Sequence, residues 1–95
     1  MKDEQLSFCP DSWDELLLRA QAGDQEALNT LMLETRPWLY SIASRKLPPE
    51  LAEEAVQNTQ LIFLVNLHKL KPGNLKGWLY RVLHHEILRL LKREQ

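Results

Sequence analysis

The sequence predicts an all-α fold, a compact bundle of about four helices, and three observations carry that prediction. Apolar residues recur at three- and four-residue spacing over most of the chain, as in helices that bury one face. There is no sustained apolar–polar alternation and no Asn-Gly hairpin turn, and β-branched residues are few. Breaks at Gly23-Asp24, Pro48-Pro49 and Lys71-Pro72-Gly73-Asn74 divide the 95 residues into four helical stretches.

Each element has its own signals. Ser12 followed by Glu15 has capping-box spacing and predicts the start of a first helix, SWDELLLRAQA, closed by Gly23. Asp24 is placed to cap a second, QEALNTLMLETRPWLYSIASRKL, whose Leu28, Leu31, Met32, Leu39, Ile42 and Ala43 share helical spacing. Pro37 is expected to kink that helix or to break it after Thr35-Arg36. Pro49 suits the first turn of a third, ELAEEAVQNTQLIFLVNLHKL, which buries Leu51, Ala55, Val56, Leu61, Ile62 and Val65, with Phe63 a further candidate. The fourth runs from about Leu75 to Lys92 on a stripe of Leu79, Val82, Leu83, Ile87, Leu90 and Leu91. Residues 12–95 read as one domain, preceded by a flexible acidic segment over 1–11.

Composition narrows the class. A chain with 44% hydrophobic and 26% charged residues is that of an ordinary soluble globular protein. The longest apolar run, Leu61 to Val65, is far too short to cross a bilayer, and no membrane partner is expected. The first residues are acidic and lack an apolar signal core, so nothing marks the chain for export. Cys9 stands alone, which excludes an internal disulfide, fits a reducing cytoplasm and reads as a passive thiol.

The net charge of −1 hides an asymmetry. Residues 1–67 hold five Lys/Arg against eleven Asp/Glu, whereas residues 68–95 hold seven (Lys69, Lys71, Lys76, Arg81, Arg89, Lys92 and Arg93) against Glu86 and Glu94. A helix C-terminus accounts for Arg89, Lys92 and Arg93 through its dipole, but not for the three lysines around the loop. Those point to an anionic partner.

No catalytic constellation is present: there is no Gly-rich phosphate loop, nucleophile elbow or His-Glu-x-x-His motif. His84 and His85 are adjacent and diverge by about 100° on a helix, whereas ligands that share a metal stand three or four residues apart. Neither a metal nor a cofactor is expected. Glu54, Gln57, Asn58 and Leu61 fall on one stripe, which suits either a wet helix face or docking against another helix. Lys69, Lys71 and Lys76 surround a loop with a spare amide at Asn74, and Trp78 and Tyr80 follow at once. Cations beside aromatic faces suit unstacked nucleotides; the alternative is a Trp78 packed in the core beneath solubilising lysines. Arg81, His84, His85 and Lys92 fall off the core stripe and could face a groove or a nucleic-acid backbone.

In order along the chain stand Ala20-Gln21-Ala22-Gly23-Asp24 with Ala27-Leu28, then Ala52-Glu53-Glu54-Ala55-Val56-Gln57, then Trp78-Leu79-Tyr80-Arg81-Val82. Together these motifs resemble region 2 of bacterial RNA polymerase sigma factors, nearest the extracytoplasmic-function type, over about residues 13–93. The resemblance implies a non-enzymatic transcription-initiation domain. It implies that the segment around Glu53, Glu54, Gln57 and Asn58, with Gln60 and Leu61 nearby, docks on the clamp helices of the beta-prime subunit of core RNA polymerase. It also implies that the loop from Lys69 through Asn74 to Lys76, with Trp78 and Tyr80, captures a base flipped from the non-template strand of the promoter minus-ten element. Arg81, His84 and His85 would then meet the adjacent duplex, and Tyr40, Arg45 and Lys46 would line the single strand. Extruding a base costs a few kcal/mol, which a pocket and a stacking surface must offset.

The chain departs from the family pattern at several positions. The family often has Asn at the position of His85 and Asp at that of Arg89, usually Glu at Asn58 and an aromatic at Gln60, and in housekeeping members a second tryptophan at Gly77. These departures keep a rival reading open, that of a sigma-like helical interaction module, a regulator adaptor or half of a split sigma factor, that no longer reads DNA. A complete sigma factor also carries a region 4 domain, so the expectation is a domain of a longer protein. An anti-sigma factor or a separate region 4 chain are the further partners implied.

Overall fold

The structure is a computed structural model that describes residues 8–94, with side chains described from 12 to 93. Its elements are α1 (Phe8–Gln21), α2 (Gln25–Ala43), α3 (Pro49–Val65), a short 3₁₀ turn (Leu67–Lys69) and α4 (Leu75–Glu94). There is no strand among the described residues, so the all-α expectation holds. No helix among them is long and apolar enough to cross a membrane. α1 packs on α2 and α3 on α4, and the two pairs join through α2–α3 and through α4 against α1 and α2.

The connections follow from their residues. Gly23, at φ 102°, ends α1 with paired bonds from Gly23 N–H to the Ala20 carbonyl (3.0 Å) and from Asp24 N–H to that of Arg19 (2.9 Å). Asp24 then caps α2, accepting from the Ala27 amide at 3.2 Å while Arg19 grips its other oxygen at 3.0 Å. This amide and the guanidinium hold the Asp24 carboxyl below its ordinary pKa. Pro49 sits at the start of α3 as its fixed φ favours.

α1 begins at Phe8, four residues before Ser12, so the Ser12–Glu15 pair does not open it. Pro10 falls within the first turn, where a missing N–H is harmless. Residues 1–7 of the expected flexible segment and the Cys9 side chain lie outside the described residues and side chains. α2 is not broken at Pro37 but runs on to Ala43. The carbonyl that proline frees belongs to Leu33, which is 74% exposed and open to water. The carbonyls just before it gain side-chain donors: Thr35 Oγ1 donates to that of Leu31 at 2.7 Å, and Gln60 Nε2 to that of Met32 at 3.0 Å. α3 ends at Val65 and α2 at Ala43, both earlier than the apolar pattern suggests.

The core gathers Leu17, Leu31, Leu39, Ala52, Val56, Phe63, Leu79, Leu83, Ile87 and Leu90, all buried. On α3 the expected stripe holds at Ala55, Val56 and Phe63, which are buried together with Ala52 and Thr59, but Leu61 and Val65 are 54% and 78% exposed. A fully buried Thr59 is tolerable because its hydroxyl donates to the Ala55 carbonyl at 2.8 Å.

Candidate nucleic-acid interface

The loop before α4 is built to leave a hollow. Residues 72–73 turn the chain, and Asn74 starts α4 by accepting from the Gly77 amide at 3.2 Å through Oδ1. Gly77 allows this. A Cβ there would come within 2.6 Å of both terminal atoms of the Asn74 side chain. Between loop and helix lies a cavity of about 230 Å³ lined by Leu70, Lys71, Asn74, Leu75, Trp78 and Arg81. Its floor is apolar and its rim carries two cations and one amide. Trp78 sets its ring against Phe63 (centroids 6.4 Å, planes at 60°) and also lines the cavity.

The structure therefore unites Lys71, Asn74, Trp78 and Arg81, but not every expected residue joins them. Lys76 turns away, its Nζ 5.2 Å from the Trp13 ring centroid and 5.4 Å from that of Trp38. Tyr80, half exposed, forms a separate outward pair with His84, ring centroids 6.2 Å apart and planes 13° from parallel. His85 shares a second hollow of about 350 Å³ with Ile62, Arg81, Val82 and Glu86, so Arg81 borders both. Lys69 is exposed on the 3₁₀ turn. Arg45 and Lys46 are exposed just past the end of α2, whereas Tyr40 is half-buried against the core; none of the three lines these hollows.

The charge asymmetry is partly neutralised internally. Arg93 holds Glu54 in a two-pronged pair (3.1 and 3.2 Å), and Arg89 pairs with Glu86 at 2.8 Å. The Glu86 hydrogen bond raises the Arg89 pKa above its ordinary value. Glu86 also accepts from Asn58 Nδ2 at 3.2 Å, so two positions that depart from the family pattern, Asn58 and Arg89, meet on one carboxylate. Lys69, Lys71, Arg81 and Lys92 make no ion pair among the described residues.

The exposed face of α3 carries Glu53, Gln57 and Leu61, with Glu54 beside them at 37% side-chain exposure and Leu64 and Val65 at its end. Glu53 pairs with Arg36 at 2.7 Å. Asn58 and Gln60 do not belong to that face. The Asn58 amide is engaged on Glu86, and Gln60 Nε2 donates to the Met32 carbonyl and to Thr35 Oγ1.

Three residues that hold the loop escaped sequence reasoning. Gln21 Nε2 donates to the carbonyls of Leu67 (2.8 Å) and Leu70 (2.7 Å), Asp14 Oδ1 accepts from the Leu75 amide (3.2 Å), and Trp13 stands edge-on to Trp38 at 5.5 Å. Their partners are distant backbone groups or rings, for which short-range spacing gives no signal.

Residues 31–95 match the family model for Sigma-70 region 2. The chain belongs to this family. Membership makes it a sigma-factor domain, with promoter recognition and core polymerase binding as its general role. The match begins inside α2, so α1 precedes the matched residues. No curated protein and no solved structure matches the chain.

Proposed function

We propose that this domain, of the extracytoplasmic-function type, docks on the beta-prime clamp helices of core polymerase through α3 and takes one flipped non-template base of the minus-ten element into the hollow beside Trp78. The observation that carries the reading is that hollow, which has an apolar floor, one indole wall, the Asn74 amide, and Lys71 and Arg81 at its rim. At about 230 Å³ it falls below the roughly 300–1,000 Å³ typical of sites for larger ligands and suits a single planar base. Lys71 and Arg81 would neutralise phosphates on either side, and the indole would supply the π surface. His85 and Lys92, outward on α4 past Arg81, would meet the neighbouring duplex.

The test is binding of single-stranded decamers that carry a minus-ten-like element, compared with the same decamers bearing one abasic position. A base-dependent gain in affinity with a change in Trp78 emission is expected. Equal affinity for both, with no spectral change, reduces the surface to bare electrostatics and removes the assignment. For the docking face, Glu54→Arg and Gln57→Ala should abolish capture by a beta-prime clamp-helix fragment in folded protein. Undiminished capture removes that assignment.

A second reading, that of an interaction module that does not read DNA, draws support from the exposed Leu61, Leu64 and Val65 and from the internal pairing of Arg89 and Arg93. Clamp-fragment capture by the unaltered protein together with base-independent decamer binding would select it.

A further inference from the structure

The loop that walls the hollow is held at both ends by one helix. At its start, Gln21 of α1 donates to the Leu67 and Leu70 carbonyls at 2.8 and 2.7 Å. At its finish, Asp14 of α1 accepts from the Leu75 amide at 3.2 Å. Leu70 and Leu75 both line the hollow, whereas neither Asp14 nor Gln21 does. The two α1 residues are seven apart, two helical turns on one face, and so lie roughly 10 Å apart along the axis. A rigid helix thus sets the separation of two backbone points between which the chain is otherwise a turn. Lys76, the residue after Leu75, is held against Trp13 and Trp38, which restrains the same end a second time.

We infer that α1 is a spacer for this loop and that Asp14 and Gln21 are positioning residues that set the width of the base-binding hollow. The inference rests on the proposed reading of that hollow as a nucleobase site. Both ties are partly buried hydrogen bonds. Their loss leaves the carbonyls and the amide seeking water, which favours local opening of the loop while the core stays packed. A loop held open by water presents Lys71 and Asn74 at no fixed distance from the Trp78 ring, so base discrimination falls while phosphate attraction persists.

The experiment uses the full chain and its Gln21→Ala, Gln21→Glu, Asp14→Ala and Asp14→Asn variants, each checked first for native helicity. The nucleic-acid probes are the single-stranded decamers that the unaltered protein enriches from a randomised pool, with and without one abasic position. Two quantities are read: hydrogen exchange at the hydrogen-bonded amides that flank the loop, those of Lys69, Gly77 and Trp78, and the affinity ratio between intact and abasic decamers. In Gln21→Ala and Asp14→Ala, exchange should accelerate and the ratio should fall about tenfold, as expected for one or two lost hydrogen bonds. Affinity for the abasic decamers should not change. Asp14→Asn keeps an acceptor and should behave as the parent, whereas Gln21→Glu, near-isosteric but facing two carbonyls without a donor, should behave as Gln21→Ala. Unchanged loop exchange in Gln21→Ala and Asp14→Ala overturns the spacer role. So does faster exchange with an undiminished ratio. Failure of the unaltered protein to discriminate at all overturns the assignment of the hollow itself, and is seen before any variant is made.

Discussion

Gly77→Ala isolates the geometry at the start of α4. In a helix, alanine is favoured over glycine by about 0.5–1 kcal/mol, so propensity alone makes the substitution stabilising. Here the new methyl would sit 2.6 Å from Asn74 Nδ2 and Oδ1 and 2.9 Å from its Cγ, closer than such atoms approach. The Asn74 side chain must leave, and with it the cap on the Gly77 amide, worth about 0.5–2 kcal/mol. The two effects oppose each other, and the variant should range from near-neutral to about 1 kcal/mol destabilised. In an Asn74→Ala background the cap is already gone and the methyl has room, so the same change should stabilise by about 0.5–1 kcal/mol. A double-mutant cycle from urea unfolding of the four proteins measures the difference, which should equal the worth of the cap, about 1 kcal/mol. An identical effect of Gly77→Ala in both backgrounds would refute the collision and the cap with it. Because Asn74 also lines the hollow, Gly77→Ala should weaken base discrimination even where stability is unchanged.

Further expectations are independent of that cycle. Gln60→Ala removes the donor to the Met32 carbonyl and to Thr35 Oγ1 and should cost about 1–3 kcal/mol; an unchanged urea midpoint would return Gln60 to the surface. Leu83→Ala, at a fully buried position, should cost about 2–5 kcal/mol in the same assay. Asp24 has a folded pKa below its unfolded one, so its charge stabilises the fold above the ordinary carboxylate range, and the gain is lost as pH falls through the folded value. Asp24→Asn should therefore melt lower than the parent at neutral pH and converge with it in acid; parallel melting curves down the pH scale would contradict this. Lys71→Ala should lower the salt dependence of decamer binding by about 0.7 in log–log slope, the worth of one single-strand phosphate contact. Lys76→Ala should leave that slope alone and lower thermal stability instead, since its ammonium is turned to Trp13 and Trp38.

The elements and their order were legible because local chemistry declares them: Gly23 and Asp24 end one helix and begin the next with bonds between near neighbours. The first boundary was not. Ser12–Glu15 has capping spacing, yet the helix already passes through it from Phe8. On α3, Leu61 and Val65 were placed inside because apolarity gave them more weight than Ala52 and Thr59, whereas these small residues complete the buried face with Ala55, Val56 and Phe63. At the site, the loop, Trp78 and Arg81 could be read from charge beside aromatics. The roles of Lys76, Asn58 and Gln60 could not, because each is decided by a partner between 25 and 63 residues away: Glu86 for Asn58, Met32 and Thr35 for Gln60, and Trp13 and Trp38 for Lys76.

The edge-on Trp13–Trp38 pair has a spectroscopic consequence. Two indoles with centroids 5.5 Å apart and planes at 77° are close enough for their excited states to mix, which gives circular dichroism a chiral couplet that an isolated indole lacks. Trp78 lies against Phe63, apart from that pair. The couplet thus records whether α1 is seated on α2, independently of what lies beside Trp78.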